Sequence, residues 1–79
     1  MTETGALIRL MREKKELTQS AVAKELGFTN VFLHRIERGQ ADLPPKYAEQ
    51  MAKILGLEKD DIIKAMKRDM SNRLEMRAK

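Results

Sequence analysis

The stretch LTQSAVAKELGFTNVFLHRIERG, residues 17–39, decides the fold because it encodes two short helices separated by a tight turn. Thr18 is a suitable N-cap for the first helix, and Gly27 suits the left-handed backbone of the turn. Thr29 is a suitable N-cap for the second helix, which ends at Gly39. Helices of about two turns are marginal alone, so both must pack against the rest of the chain. The stretch therefore predicts a helix-turn-helix unit.

Three further helices flank this unit, because the 3.6-residue spacing of apolar side chains continues on both sides of it. The first helix is predicted over about residues 4–15. A fourth opens at Pro44 and Pro45, where a missing N–H is harmless, and runs to about residue 55. A fifth is predicted over about residues 59–77. Nothing in the sequence is typical of a strand, so we expect an all-α, compact five-helix domain.

The composition fits one soluble globular domain, with 79 residues of which 42% are hydrophobic and 35% are charged. No apolar run approaches the ~18 residues of a membrane span, and no signal peptide is visible, so we expect a cytoplasmic protein without membrane association. The absence of Cys excludes a disulfide framework and a Cys-based zinc site.

Catalytic residue patterns are missing. The chain has one His and no Cys, Ser20 is expected to be buried near a helix start, and no carboxylate–His arrangement is suggested. No Gly-rich phosphate loop is present either. We therefore expect no enzyme activity, and we assign no cofactor and no metal site.

The positive charge is concentrated at the C-terminal end. Residues 1–63 hold 10 Lys/Arg and 10 Asp/Glu, whereas residues 64–79 hold six basic and two acidic residues, which accounts for the net charge of +4. A basic balance favours polyanionic partners only weakly, and a solvated helix face is the ordinary alternative. We predict a helix-turn-helix domain over residues 1–66 and a basic extension, helical or frayed, over residues 67–79.

An apolar stripe follows the last helix into this extension. Met66, Met70 and Leu74 recur every four residues, and Met76 lies just beyond them. Met66 can complete the core, but the later positions have no obvious core to enter, and Met adapts well to contact surfaces. The stripe predicts packing against a second copy or another protein, and the alternative is a frayed basic tail.

The predicted third helix has an inward and an outward side when successive residues are placed about 100° apart. Leu33 and Ile36 define the inward side, and Phe32 is expected at the core edge. Val31, Arg35 and Arg38 share the outward side, with His34 beside them and Asn30 between the two sides. If this helix reads DNA, its candidates for contact with base edges are Asn30, Val31, His34 and Arg35. Arg can read guanine or hold a phosphate, Asn can read adenine or donate to a phosphate, and Val can contact the thymine methyl group. The histidine could bond a base or a phosphate, or be a solvated surface side chain.

The stretch of residues 17–39 resembles the helix-turn-helix of the phage lambda repressor and Cro family, often called XRE-type. The matching features are Thr18-Gln19 at the start of helix 2, Ala23 at the helix crossing, Gly27 in the turn, Leu33 and Ile36 in the core, and Ile36-Glu37-Arg38-Gly39 at the end. The resemblance extends over roughly residues 6–63. It implies a lambda-repressor-like DNA-binding domain, with double-stranded DNA as partner. A homodimer would suit such a helix, because two copies can address half-sites one DNA turn apart, roughly 34 Å.

The resemblance also implies roles for individual residues. The candidates for phosphate contact are Thr18, Gln19, Thr29, Arg38, Gln40 and Lys46. A structural ion pair is implied between Arg12 and Glu37, behind the DNA surface. Glu16 stands where the family usually has Gly, so it is strained if this position needs a positive φ. Asp42 places a negative charge in the loop that should meet phosphate, which would weaken backbone contact.

The leading hypothesis is a sequence-specific DNA-binding transcriptional regulator, a repressor, that inserts helix 3 in the major groove. One alternative is an antitoxin that binds its operator and also a toxin partner. The other is a protein-interaction module of the same fold without DNA binding, which Val31, Phe32 and Asp42 would favour. Charge reversal of Arg35 and Arg38 separates these hypotheses, because an antitoxin would keep its partner while losing DNA.

Overall fold

The computed structural model describes residues 2–78, and the side chains of residues 2–74. Lys79 and the side chain of Met76, which belong to the predicted extension and stripe, lie outside the described residues. Five α-helices follow one another: α1 (Glu3–Lys14), α2 (Gln19–Leu26), α3 (Asn30–Glu37), α4 (Ala48–Leu55) and α5 (Lys59–Ala78). A short 3-10 helix, Pro45–Tyr47, leads into α4. The described part of the chain contains no strand, which confirms the predicted all-α, five-helix fold.

The two short helices begin and end where their capping residues predict. The hydroxyl oxygens of Thr18 and Thr29 each accept a hydrogen bond of 3.1 Å from a backbone N–H one turn later. Gly27 ends α2 with a φ of +76°, the left-handed conformation that a side chain would strain. These caps satisfy backbone groups that a helix cannot pair internally, so they fix the lengths of α2 and α3.

The core lies between all five helices. Leu33 and Ile36, the predicted inward side of α3, are 0% and 1% exposed. The largest of the fully buried side chains come from every helix: Ile8, Val22, Leu33, Ile36, Met51, Leu55 and Ile62. Burial of these side chains removes apolar area from water, which supplies the main stabilising term. It also holds α3 against α1 and α2, and α2 against α4.

Phe32 is a core-edge residue, as predicted. It is half-buried, and its ring makes an edge-to-face contact with Phe28 at 4.9 Å between centroids. Phe28 in turn contacts Tyr47 edge-to-face at 4.7 Å. Edge-to-face geometry is favourable for aromatic pairs, so this trio joins the turn, α3 and the 3-10 helix.

Helices α1 and α3 approach closely at Gly5. A Cβ atom at this position would lie 2.6 Å from the backbone oxygen of Glu37, and closer still to that of Ile36. Both oxygens belong to the last turn of α3, which is itself held by the core. Gly5 therefore lets the start of α1 contact the end of α3 directly.

The connection from α1 to α2 contains a strained residue. Glu16 has a φ of +58°, and it is the only residue with positive φ, other than glycine, in the described part of the chain. Strain was predicted for Glu16 if this position needs a positive φ, and the observed φ is positive. The left-handed conformation costs an ordinary L-residue about 1 kcal/mol or more relative to glycine.

Helix α5 runs without interruption across residue 66, where the sequence analysis placed the start of the extension. Asp69 ties this part of α5 to the first turn of α1: its carboxylate accepts hydrogen bonds from the backbone N–H groups of Glu3 (2.7 Å) and Thr4 (3.0 Å). The Thr4 hydroxyl donates a third hydrogen bond, at 2.6 Å. The extension is therefore helical up to Ala78 and attached to the domain.

Among the helices described, none is long and apolar enough to span a membrane.

Candidate nucleic-acid interface

The outward side of α3 is exposed along its whole length. The predicted base-edge candidates all lie on this solvent-facing side: Asn30, Val31, His34 and Arg35. Val31 is 63% exposed and is one of the few large apolar side chains outside the core. Because α1 and α2 pack against the other side of α3, its outward side stays open to solvent. The structure thus brings the four candidates together on one surface.

Asn30 is oriented by a residue that the sequence analysis did not predict for this surface. Its Nδ2 donates a hydrogen bond of 2.9 Å to Oγ of Ser20 in α2. Ser20 is exposed, so its expected burial was wrong: at the second position of α2 it faces the N-terminus of α3 rather than the core. The bond uses one amide hydrogen of Asn30 and leaves the second hydrogen and Oδ1 available, which is what adenine requires.

A buried carboxylate connects α1, α2 and α3 behind the exposed surface. Arg12 donates from Nε and Nη2 to the two oxygens of Glu37, at 2.8 and 3.0 Å. The side chain of Glu37 is 2% exposed. The hydrogen bond and the charge of Glu37 raise the pKa of Arg12, although burial opposes this. Arg12 also donates to the backbone oxygen of Leu17 at 2.8 Å, so the guanidinium fixes the α1–α2 connection as well.

Gln19 joins this network from the start of α2. Its Nε2 donates to Oε1 of Glu37 at 3.1 Å and lies 3.5 Å from Nδ1 of His34. The carboxylate of Glu37 can only accept, so it orients the amide of Gln19 with nitrogen inward and oxygen free. This contact braces the end of α3, where Glu37 lies.

The phosphate candidates lie at the start of α2, at both ends of α3 and in the segment that leads from α3 to α4. Their side chains are exposed, apart from the half-buried Gln19: Thr18, Gln19, Thr29, Arg38, Gln40 and Lys46. The two threonine hydroxyls accept their cap hydrogen bonds and keep their own hydrogens for donation to an anion. The ammonium of Lys46 lies 5.2 Å from the centroid of the Tyr47 ring, which restricts its position near the loop.

Asp42 does not leave an unpaired negative charge in the loop after α3, as the sequence analysis expected. Its carboxylate forms a bidentate pair with the guanidinium of Arg73 in α5, in which Nη1 donates to Oδ2 at 3.0 Å and Nη2 donates to Oδ1. This contact lowers the pKa of Asp42 and raises that of Arg73. The two residues are 31 positions apart in sequence, so no local pattern predicts the pair.

The apolar stripe of α5 lies partly against the core and partly on the surface. Met66 is half-buried and packs against the core, whereas Met70 and Leu74 are 65% and 59% exposed. The stripe therefore begins as core and ends as an exposed surface. Within the described residues, nothing covers Met70 and Leu74.

Comparison with models of protein families identifies a helix-turn-helix domain in this chain. The model of the family described as "Helix-turn-helix domain" matches residues 3–62, which is more than half of the chain. The match includes α1 to α4 and the first residues of α5, and it ends before the part of α5 that carries Asp69 and Arg73. Searches of curated proteins and of solved structures gave no match.

Proposed function

Because this chain belongs to the helix-turn-helix domain family, whose members are typically DNA-binding rather than catalytic, we propose that it is a sequence-specific transcriptional regulator, a repressor of the lambda repressor and Cro type. In this proposal α3 enters the major groove of double-stranded DNA. The supporting observation is the division of α3 between a buried side and an exposed side that carries Asn30, Val31, His34 and Arg35.

The side chains on this surface offer different contacts to base pairs. A guanidinium donates in pairs to guanine, an amide both donates to and accepts from adenine, and a small apolar side chain fits the thymine methyl group. The network of Arg12, Glu37 and Gln19 holds α3 from behind, so its exposed side chains keep fixed relative positions. Fixed positions favour discrimination between base pairs over general attraction to phosphate.

Selection from a randomised duplex pool at about 100 mM salt tests this proposal, with Arg35→Ala as the variant and Lys53→Ala as its matched control. Lys53 is an exposed basic residue on α4, so its loss changes net charge equally without touching α3. We expect the wild type and Lys53→Ala to enrich the same palindrome, and Arg35→Ala to lose or relax it. No enrichment by the wild type would contradict the proposal, and would favour the protein-interaction module.

A homodimer is part of the proposal, supported by the exposed Met70 and Leu74 on α5. Two copies can present two α3 helices to half-sites about 34 Å apart, which a palindrome requires. Light scattering on wild type and Leu74→Glu tests this, with Leu10→Glu as control, because Leu10 is a similarly exposed leucine on α1. We expect only Leu74→Glu to dissociate the dimer. A wild-type monomer would contradict the dimer.

A different protein on the same exposed surface of α5 is the second candidate, as in an antitoxin that holds a toxin. The observation that favours it is the positive charge around Met70 and Leu74, since residues 64–79 carry six basic and two acidic residues. Two such helices repel each other, whereas an acidic partner does not. Copurification of an acidic protein with wild type but not with Leu74→Glu would support this candidate.

A further inference from the structure

The pair of Asp42 and Arg73 links the C-terminal part of α5 to the loop that follows α3. Asp42 lies between two predicted phosphate contacts, two residues after Gln40 and four before Lys46. Arg73 lies in α5, beyond the residues matched by the helix-turn-helix family. The contact is bidentate, so it specifies the orientation of both side chains as well as cancelling their charges.

The pair has a second anchor one helical turn earlier. Asp69, four residues before Arg73, accepts hydrogen bonds from the first turn of α1. Residues four apart lie on the same side of a helix, so the attachment of Asp69 also directs Arg73 toward the loop. The rotation of α5 about its axis is therefore fixed at this end.

Among the described residues, the pair of Asp42 and Arg73 provides the only hydrogen bonds between this loop and α5. A cleft of about 190 Å³ lies between the two, lined by apolar side chains that include Leu43 and Met66 and by polar ones that include Asp69. Leu43 is buried, but Asp42 is exposed and reaches α5 only through Arg73. On the other side, the backbone N–H groups of Gln40 and Ala41 both donate to the oxygen of Arg35, at 2.8 and 3.3 Å. The loop is thus held between α3 and the guanidinium.

We infer that Arg73 is a positioning residue for DNA binding: it neutralises Asp42 and holds the loop so that Gln40 and Lys46 can face the phosphate backbone. This inference rests on the proposed function. An uncompensated carboxylate between Gln40 and Lys46 would repel a phosphate held by either residue, because charges interact over about 10 Å at 0.1 M salt. The C-terminal part of α5 then belongs to the DNA-binding unit without touching DNA.

A double-mutant cycle tests the inference, with a mixed-sequence duplex as probe, so that no operator is needed. Arg73→Ala is expected to weaken binding roughly fivefold in the wild type, and by less than about twofold when Asp42→Ala is already present. Lys64→Ala is the control, since Lys64 is an exposed basic residue nine positions before Arg73 and so on the opposite side of α5. It removes the same charge and should weaken binding by less than Arg73→Ala.

Hydrogen exchange provides a readout that does not require DNA. Arg73→Ala should speed amide exchange at Gln40 and Ala41, whereas Lys64→Ala should leave it unchanged. Equal losses of affinity from Arg73→Ala with and without Asp42 would mean direct phosphate contact, and would overturn the positioning role. Unchanged exchange at both amides would overturn it too. Failure of the wild type to bind any duplex would overturn the proposed function together with this role, which is a distinct result.

Discussion

Arg12 and Glu37 join α1 to the last turn of α3 through two hydrogen bonds, 2.8 and 3.0 Å long, that solvent barely reaches. Gln19 adds a third contact to the same carboxylate from α2. Three helices therefore meet at one charged group directly behind the exposed side of α3. A shielded pair of this kind fixes relative positions more than it adds stability, because each charge loses water on burial.

Removal of one member of this pair should be costly. Glu37→Ala leaves the largely buried guanidinium of Arg12 without its carboxylate, and we expect a loss of about 3 kcal/mol in the free energy of unfolding. Urea denaturation followed by circular dichroism measures this. Arg9→Ala is the control, because the Arg9–Glu13 pair is more than half exposed on α1 and should contribute less than about 0.5 kcal/mol. Equal effects of the two variants would contradict the role of Glu37.

Glu16 offers a stabilising substitution. Glu16→Gly should raise the free energy of unfolding by about 1 kcal/mol, because glycine adopts its φ of +58° without the strain of a side chain. Thermal denaturation measures the change. Ala6→Gly is the control: Ala6 is exposed within α1, where glycine costs about 1 kcal/mol. A loss of stability in both variants would show that Glu16 is not strained.

Much of the fold could be predicted from short-range patterns. Thr18, Thr29 and Gly27 mark helix ends through contacts within one turn, so their effects are visible in the sequence. The adjacent prolines, predicted to open the fourth helix, lie instead at the start of the 3-10 helix, and α4 begins at Ala48. The position of Phe32 at the core edge followed from helical periodicity in the same way. The pair of Arg12 and Glu37, whose members are 25 residues apart, was expected only because a family resemblance suggested it.

The missed features all depend on tertiary contacts. Asp69 bonds Glu3 across 66 residues, and Arg73 bonds Asp42 across 31, so neither leaves a periodic signal. Ser20 was wrongly expected to be buried. Its position facing Asn30 depends on the angle between α2 and α3, which the sequence does not show. Asp42 was expected to weaken contact with the DNA backbone, because its pairing with Arg73 could not be seen in the sequence.

Gly5 should tolerate no side chain. Gly5→Ala would bring a Cβ atom to 2.6 Å from the backbone oxygen of Glu37, and neither helix can shift easily. We expect a loss of about 2 kcal/mol in the free energy of unfolding, a cost typical of overpacking. Gly27→Ala is an instructive comparison, because it meets no atom within 4 Å and pays only for its φ of +76°. A smaller loss for Gly5→Ala than for Gly27→Ala would contradict the close approach.

The pair of Asp42 and Arg73 should make stability depend on pH. Arg73 lowers the pKa of Asp42 below its usual value of about 3.9. The charged carboxylate therefore stabilises the fold above about pH 4, and this contribution disappears as the pH falls through the lowered pKa. Titration of the Asp42 carboxyl carbon by NMR should show its pKa rising in Arg73→Ala. An identical titration in both proteins would mean that the pair does not form in solution.

Asp69 should contribute more to stability than an ordinary surface carboxylate. Asp69→Ala removes acceptors from two backbone N–H groups at the start of α1, and loss of an N-terminal cap costs about 1 kcal/mol. Asp60→Ala is the control, since Asp60 is an exposed acidic residue of the same helix. Amide exchange at Glu3 and Thr4 should rise only in Asp69→Ala. Unchanged exchange there would argue against the contact.

The attachment of Asp69 to α1 also orders events during synthesis. The first turn of α1 is translated first, yet its N–H groups remain without these acceptors until residue 69 has been added, 66 residues after Glu3. At about 5–20 residues per second, this interval lasts roughly 3 to 13 seconds. During that time the emerging chain can form α2 and α3 but cannot complete the domain. The domain therefore cannot close around the first turn of α1 while the residues before Asp69 are still being added.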